Sequence, residues 1–193
     1  MKDIINNILQ ESIKVKEQFI RESADDLIII AKKIVESFTI DRKLMLCGNG
    51  GSAAYAQHIA AVFVNRFEME RPPLPAISLS TDTSIITCIG DDYSFDDIFT
   101  KQIKAIGLEG DVLLAISTSG NSQNVISAAE TAGDMGIFVA GLTGGKGGKL
   151  KEVCDLCMCV PSEITARVLE SHILAGHIIC RLVDYILFQG GDE

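Results

Sequence analysis

Two short segments of the 193-residue chain combine glycine, amide and hydroxyl groups in a way that suits phosphate binding. The first is "CGNGGSA", in which Asn49, Gly50 and Gly51 follow an apolar run and open a helical pattern. The second is "AISTSGNSQNV", whose four hydroxyl side chains are Ser117, Thr118, Ser119 and Ser122. Backbone N–H groups and hydroxyls at a helix N-terminus can hold a phosphate without any lysine. A structural turn needs only one capping hydroxyl, so the second segment predicts a phosphate site.

The spacing of both segments excludes the common nucleotide motifs. "GNGGSA" lacks the G-x-G-x-x-G pattern, and "STSGNS" lacks the Gly-Lys-Ser/Thr of a P-loop. Taken alone, the glycine-rich segment indicates a tight connection. A third glycine-rich stretch, "LTGGKGGKL", matches no phosphate motif, and we interpret it as a flexible loop.

Three histidines lie on two predicted helices, His58 on the first and His172 and His177 on the second. His172 and His177 are five residues apart, about 140° around a helix, so they do not share a face. They are therefore not a two-histidine metal pair. A lone helical histidine is usually structural, and we interpret His172 in that way.

The cysteines favour reduced thiols over a disulfide framework or a zinc site. There are six, three of them in "CDLCMCV", and no second ligand pair follows at a suitable spacing. Cys157 and Cys159 would point to one face of a strand, with Cys154 at its start. We interpret them as small apolar residues of a buried strand.

The elements that must position these residues form a doubly wound parallel α/β fold. Short apolar runs alternate with helical patterns from Lys43 onward, which is typical of strands buried on both faces with helices on each side. A long helix is predicted from about Ala166 to Phe188. The five predicted strands are "KLMLCG", "PAISLS", "DVLLAIS", "IFVAGLTG" and "LCMCVP". Ligands bind beyond the carboxyl ends of such strands, where both turns lie.

Residues 1–40 predict two helices that form an N-terminal hairpin. Ser23, within "RESADDL", is the predicted N-cap of the second helix. The apolar residues of the first helix recur at helical spacing and are Ile4, Ile5, Ile8, Leu9 and Ile13. A hairpin cannot bury both apolar faces by itself, so a partner surface, such as another subunit, is implied.

Length and composition predict one domain spanning residues 1–193, with the "GGDE" tail as a frayed end. The net charge of −9 disfavours direct nucleic-acid binding and anionic membranes, because phosphate contacts there need clustered Lys and Arg. The N-terminus lacks the basic start and apolar run of a signal peptide. No apolar stretch reaches the roughly 18 residues of a membrane span. We expect a cytoplasmic protein.

With these motifs placed, the chain resembles the phosphoheptose isomerases of the sugar isomerase (SIS) domain family. The similar segments are "CGNGGSA", "AISTSGNS", "IGDDYSFDDIF" and "ITARVLESHILAGHI". The resemblance implies a homotetramer with the N-terminal helices packed between subunits and active sites at the subunit interfaces. It also implies conversion of sedoheptulose 7-phosphate to D-glycero-D-manno-heptose 7-phosphate, for heptose of the cell envelope.

The resemblance also implies roles for individual residues. The sugar would lie near Asn49, Gly50, Gly51 and Asp92, and the phosphate on Ser117, Thr118, Ser119 and Ser122. Asp91 stands where the family commonly has asparagine. His58 and His177 match two zinc-ligand positions, and His177 is also the candidate for proton transfer.

Two further positions depart from the family pattern. Val62 replaces a glutamate that is both metal ligand and base, and Leu169 replaces a glutamine. Neither apolar side chain can bind zinc or move a proton. Two histidines alone make a poor zinc site, because stable sites take about three or four protein ligands.

Several carboxylates are candidates for the missing base. Asp91, Asp92 and Glu163 are not distinguished by spacing, and Glu170 would qualify only if its helix were rotated or unwound there. The alternative to catalysis is a binding tetramer. The DnaA initiator-associating protein of the same family, in which the isomerase constellation is also incomplete, suggests a phosphosugar or a replication initiator protein as partner.

Overall fold

A computed structural model describes residues 1–190 as a five-stranded parallel sheet between two layers of helices. The strands are β1 (Leu44–Gly48), β2 (Ala76–Ser78), β3 (Val112–Ile116), β4 (Phe138–Gly144) and β5 (Leu156–Val160). The helices are α1 (Lys2–Thr39), α2 (Gly51–Val64), α3 (Thr83–Asp92), α4 (Thr100–Ile106), α5 (Gln123–Asp134), α6 (Leu150–Val153) and α7 (Thr165–Phe188), with a short 3-10 helix at Phe95–Asp97. The predicted doubly wound fold is confirmed. Apart from its first glycine, the tail predicted to fray lies outside the described residues.

The strand order β2-β1-β3-β4-β5 places a topological switch point between β1 and β3. The two strands run parallel and in register, so that Gly48 pairs with Ile116 at their carboxyl ends. The turns that follow β1 and β3 therefore emerge side by side. Ligands of doubly wound sheets bind at this point, where neighbouring connections depart toward opposite faces.

Side chains of the central strands point alternately to the two faces of the sheet, so the core has one part on each face. Leu44 and Leu46 of β1 face the layer made by α1, α2 and α7. Met45 and Cys47 face the other layer, which includes α4 and α5. Every residue of β1 and β3 is buried. This explains why these strands appear in the sequence as continuous apolar runs.

The first forty residues form one continuous helix, so the predicted hairpin is wrong. Ser23 is not an N-cap but a buried residue near the middle of α1. The segment "RESADDL" contains neither glycine nor proline, and serine and aspartate in a helix interior each cost only about 0.5 kcal/mol relative to alanine. Burial of Phe19, Leu27 and Ile30 on both sides of this segment keeps the helix continuous.

The N-terminal part of α1 leaves large apolar side chains uncovered. The exposed fractions are 61% for Ile4, 65% for Ile5 and 49% for Ile8, and Leu9 and Ile13 are exposed as well. Farther along, α1 packs against α7 through buried residues that include Leu27 and Ile34. The uncovered face agrees with the need for a partner surface.

Helix α7 is long and apolar enough, by length and composition, to cross a membrane. It nevertheless packs in the core through Val168, Ala175 and Ile179, and it carries the buried polar residues Arg167 and Asp184. A core helix passes the same test of length and apolarity, and α7 is such a helix here.

A buried ion pair ties α7 to the end of α2. Arg71 Nε donates to Asp184 Oδ1 at 2.7 Å, and the two side chains are 0% and 1% exposed. The Arg71 guanidinium also donates to the carbonyls of Val62 and Phe63. These belong to the last turn of α2, whose carbonyls have no partner within the helix.

We expect Asp184→Ala to lower the free energy of unfolding by about 3 to 5 kcal/mol, because it leaves a buried guanidinium without its counter-charge. Urea denaturation at a fixed protein concentration measures the change. Glu68→Ala is the matched control, because it breaks the exposed pair with Arg181 at 3.4 Å. It should cost no more than about 1 kcal/mol. Equal losses in the two variants would contradict a stabilising role for the buried pair.

Candidate functional site

The two predicted turns meet through a reciprocal pair of amide hydrogen bonds. Asn49 Nδ2 donates to Asn124 Oδ1 at 2.8 Å, and Asn124 Nδ2 donates back to Asn49 Oδ1 at 2.9 Å. Asn49 directly follows β1, and Asn124 is a buried residue in the first turn of α5. The sequence patterns did not reveal Asn124 as a site residue. Its only signal there was an amide in the first turn of the helix that follows the serine-rich segment.

The serine at the N-cap of α5 does not make the usual capping hydrogen bond. Ser122 is the N-cap residue of α5, yet its side chain makes no capping hydrogen bond. It accepts instead from the buried Ser117 hydroxyl at 3.1 Å. Thr118 and Ser119 line an adjacent cavity of about 370 Å³. Because the first N–H groups of α5 lack intrahelical partners, this arrangement can receive an anion.

The loop "GGKGG" after β4 borders this cavity and is hydrogen-bonded to the serine-rich turn. Gly145, Lys146 and Gly148 line the cavity together with Thr118 and Ser119. The Leu150 N–H donates to the Gly120 carbonyl at 2.9 Å, and the Lys149 N–H donates to Asn121 Oδ1 at 3.2 Å.

Glycine at position 120 makes this close contact between loop and turn feasible. Gly120 has φ of 67°, and a Cβ there would overlap the Gly147 carbonyl. The sequence could not reveal Lys146 as a cavity residue, because the loop and the serine-rich turn are far apart along the chain.

Asp91 and Asp92 lie away from the serine-rich turn. They end α3, which has no buried residue, and Asp91 lines a separate open groove of about 800 Å³. Asp92 accepts a 3.5 Å hydrogen bond from the Cys88 thiol. Within this chain, Asp91 and Asp92 are therefore not brought to the cavity, whereas Glu163 lines it.

His58 and His177 lie together on α2 and α7, with their Nε2 atoms 2.8 Å apart. Phe67 stacks on the His177 ring at 5.4 Å between centroids. Partial burial lowers the pKa of His177, and the neighbouring His58 lowers it further. A neutral imidazole of this kind can accept a proton near pH 7.

Leu169, one of the other two positions of the family constellation, lies apart from this histidine pair within one chain. Leu169 lies against Gly51, where a Cβ would be 3.2 Å from Leu169 Cδ1. It is two helical turns, about 12 Å, along α7 from His177. Val62 lies one turn beyond His58 on α2 and packs against the core.

The carboxylate of Glu170 is already engaged in hydrogen bonds. It accepts from Ser12 Oγ at 2.6 Å and from Arg167 Nη2 at 2.8 Å. The Ser12 bond holds it toward α1, and α7 is neither rotated nor unwound there. Glu170 therefore cannot replace the missing base in this conformation.

The donors present do not fit a resident zinc ion. Within residues 1–190, no three or more His, Cys, Asp or Glu side chains form a group that could hold a metal. The contact between His58 and His177 uses one Nε2 as donor and the other as acceptor, whereas zinc would need a lone pair on both.

The cysteines and His172 have structural environments. Thr143 Oγ1 lies 3.2 Å from the sulfur of Cys159 and 3.7 Å from that of Cys157, so these two cysteines share a face as predicted. They are half-buried rather than buried, because β5 is an edge strand. His172 Nε2 bonds the Thr143 carbonyl at 3.1 Å, and burial lowers the pKa of His172 to about 4. The structural interpretation of His172 is confirmed.

Comparison with known proteins identifies the family of this chain. The SIS domain family matches residues 9–144. A phosphoheptose isomerase from Nitratidesulfovibrio vulgaris strain Hildenborough is 52% identical over 93% of this chain and 86% of its own. One from Aneurinibacillus thermoaerophilus is 49% identical over 98% and 96%. The structure of a phosphoheptose isomerase from Francisella tularensis superposes with a TM-score of 0.91 at 42% identity, covering 94% and 97% of the two chains. The chain belongs to the phosphoheptose isomerase family of SIS domain proteins.

Proposed function

We propose that this protein binds a seven-carbon sugar phosphate with its phosphate on the serine-rich turn. The proposal depends on the arrangement of Ser117, Thr118, Ser119 and Ser122 at the start of α5, where the N-cap residue Ser122 makes no side-chain capping bond. Asn49, Gly50 and Gly51 would contact the sugar across the switch point. Asp91 and Asp92 would join them from a neighbouring subunit, because α3 lies away from the cavity in its own chain.

The reaction we propose is isomerisation of D-sedoheptulose 7-phosphate to D-glycero-D-manno-heptose 7-phosphate. The relatives that are about half identical bear the name phosphoheptose isomerase. Such a reaction takes a proton from C1 of the ketose and returns one to C2, the carbonyl carbon, while the C1 hydroxyl loses its proton and the C2 oxygen gains one. His177 is the residue we propose for this transfer, since its lowered pKa keeps a nitrogen lone pair available. Zinc has no part in the proposed step.

A homotetramer in the cytoplasm is the assembly we propose. His58 is seven residues, about 10 Å, along α2 from Gly51. The resemblance to the phosphoheptose isomerases implies active sites at subunit interfaces, so a neighbouring subunit would complete the site. The exposed apolar face of α1, around Ile4, Ile5 and Ile8, is the surface we expect to form such an interface.

A tetramer without catalytic activity is the second candidate. Val62 and Leu169 favour it, because both positions lack the polar groups of the family constellation. In this role the protein would bind a phosphosugar, or a replication initiator protein, without converting anything.

The purified protein should convert sedoheptulose 7-phosphate to the aldose. Chromatographic separation of the two sugar phosphates measures the conversion. His177→Ala should lower kcat by about 10² to 10⁴, the usual contribution of acid–base catalysis. The exposed neighbour Gln57 supplies the control, and Gln57→Ala should retain activity. Binding without turnover in the wild type would instead select the second candidate.

Val62→Glu should raise zinc affinity, because it places a carboxylate one helical turn from His58. The carboxylate would be a third zinc ligand beside His58 and His177. Isothermal titration should show a gain on the order of tenfold or more over the wild type. Val64→Glu is the matched control, since position 64 is 48% exposed and lies on another face of α2. An equal gain in both variants would show non-specific binding and contradict the geometry of this site.

A further inference from the structure

Two opposite charges line the cavity beside the serine-rich turn. Lys146 comes from the loop after β4, and Glu163 comes from the connection between β5 and α7. Both face the space that Thr118 and Ser119 border. They are the charged residues among those that line this cavity. The inference drawn from them rests on the proposed binding of a sugar phosphate.

The backbone of the loop that contains Lys146 is bonded to the serine-rich turn, whereas the Lys146 side chain has no bonding partner within residues 1–190. The flanking loop is bonded to the turn by the N–H groups of Lys149 and Leu150. Within residues 1–190, the Lys146 ammonium forms no hydrogen bond or ion pair. A cation that is positioned by a fixed loop and lacks a partner is suited to an anionic ligand.

Glu163 lies close to the same loop. A Cβ on Gly145 would be 3.5 Å from Glu163 Cγ and 3.9 Å from its Oε1, so the carboxylate stands beside the residue that precedes Lys146. Its negative charge therefore acts on the same small space. Any anion that approaches Lys146 also approaches Glu163.

The charge of the whole protein makes a local cation important. The chain carries a net charge of −9, which repels a phosphate dianion at long range. The hydroxyls of the turn and the amides of α5 are neutral donors. A hydrogen bond between a charged donor and a phosphate is roughly twice as strong as one between neutral groups.

We propose that Lys146 binds the phosphate of the sugar and thereby sets the preference for phosphorylated over unphosphorylated sugars, and that Glu163 opposes it. Lys146 lines the same cavity as Thr118 and Ser119 of the serine-rich turn. Glu163 weakens the attraction for the dianion, so the affinity is a balance between the two side chains.

Isothermal titration with sedoheptulose 7-phosphate and with unphosphorylated sedoheptulose tests this assignment. Lys146→Met removes the charge and keeps the aliphatic stem. It should weaken binding of the phosphorylated sugar on the order of tenfold, in line with the loss of one hydrogen bond to a charged group. It should leave binding of the unphosphorylated sugar unchanged. Glu163→Gln should strengthen binding of the phosphorylated sugar by about threefold, as removal of a nearby like charge predicts.

Lys149→Met is the matched control, because Lys149 is an exposed lysine of the same loop that does not line the cavity. It should bind like the wild type. Equal weakening by Lys146→Met and Lys149→Met would overturn the proposal, as would wild-type affinity in Lys146→Met. Failure of the wild type to bind sedoheptulose 7-phosphate would overturn the proposed function itself, which distinguishes the two failures. Circular dichroism of each variant verifies that it is folded.

Discussion

The reciprocal amide pair between Asn49 and Asn124 holds together the two turns on which the rest of the site depends. Each side chain donates to the other and accepts from it, which fixes the turn after β1 against the first turn of α5. Asn124 is 2% exposed, so a broken pair would leave buried amide groups unsatisfied, at about 1 to 3 kcal/mol for each group. The strand order makes this contact feasible, because β1 and β3 are neighbours in register.

The positions of the serine-rich turn and of the loop after β4 depend on the same amide pair. Once α5 is positioned, Ser117 and Ser122 bond each other rather than the helix, and Gly120 faces the loop after β4. The absence of a side chain at position 120 lets the backbone of the loop approach closely. That approach brings Lys146 to a cavity whose other polar groups are neutral, apart from Glu163.

The residues proposed for phosphate binding and for proton transfer lie in different parts of the chain. Asn49, Asn124 and the serine-rich turn, here called the cradle, lie at the carboxyl edge of the sheet. His58 and His177 lie farther along the packed helices α2 and α7. Val62 and Leu169 face apolar or glycine neighbours, so the helices pack without the buried charges that a metal site would bring. Loss of those polar groups leaves the cradle intact, because Asn49, Asn124 and the serine-rich turn do not depend on them. Binding can therefore persist in this fold whether or not catalysis does.

The strands, the class of the fold and the two turns could be predicted from the amino-acid sequence, because they depend on local patterns. Continuous apolar runs indicate buried parallel strands, and four hydroxyls around a helix start indicate more than a cap. The single helix α1 was missed, because burial of Phe19 and Leu27 outweighs the small helix penalties of "RESADDL".

Contacts between groups that are distant along the chain could not be predicted and are known from the folded structure. It joined Asn124 to Asn49, brought Lys146 and Glu163 to one cavity, turned Glu170 toward α1, and left Asp91 and Asp92 apart from the serine-rich turn. The physical reason is that strand order and helix packing set these contacts, and neither can be read from local spacing along the chain.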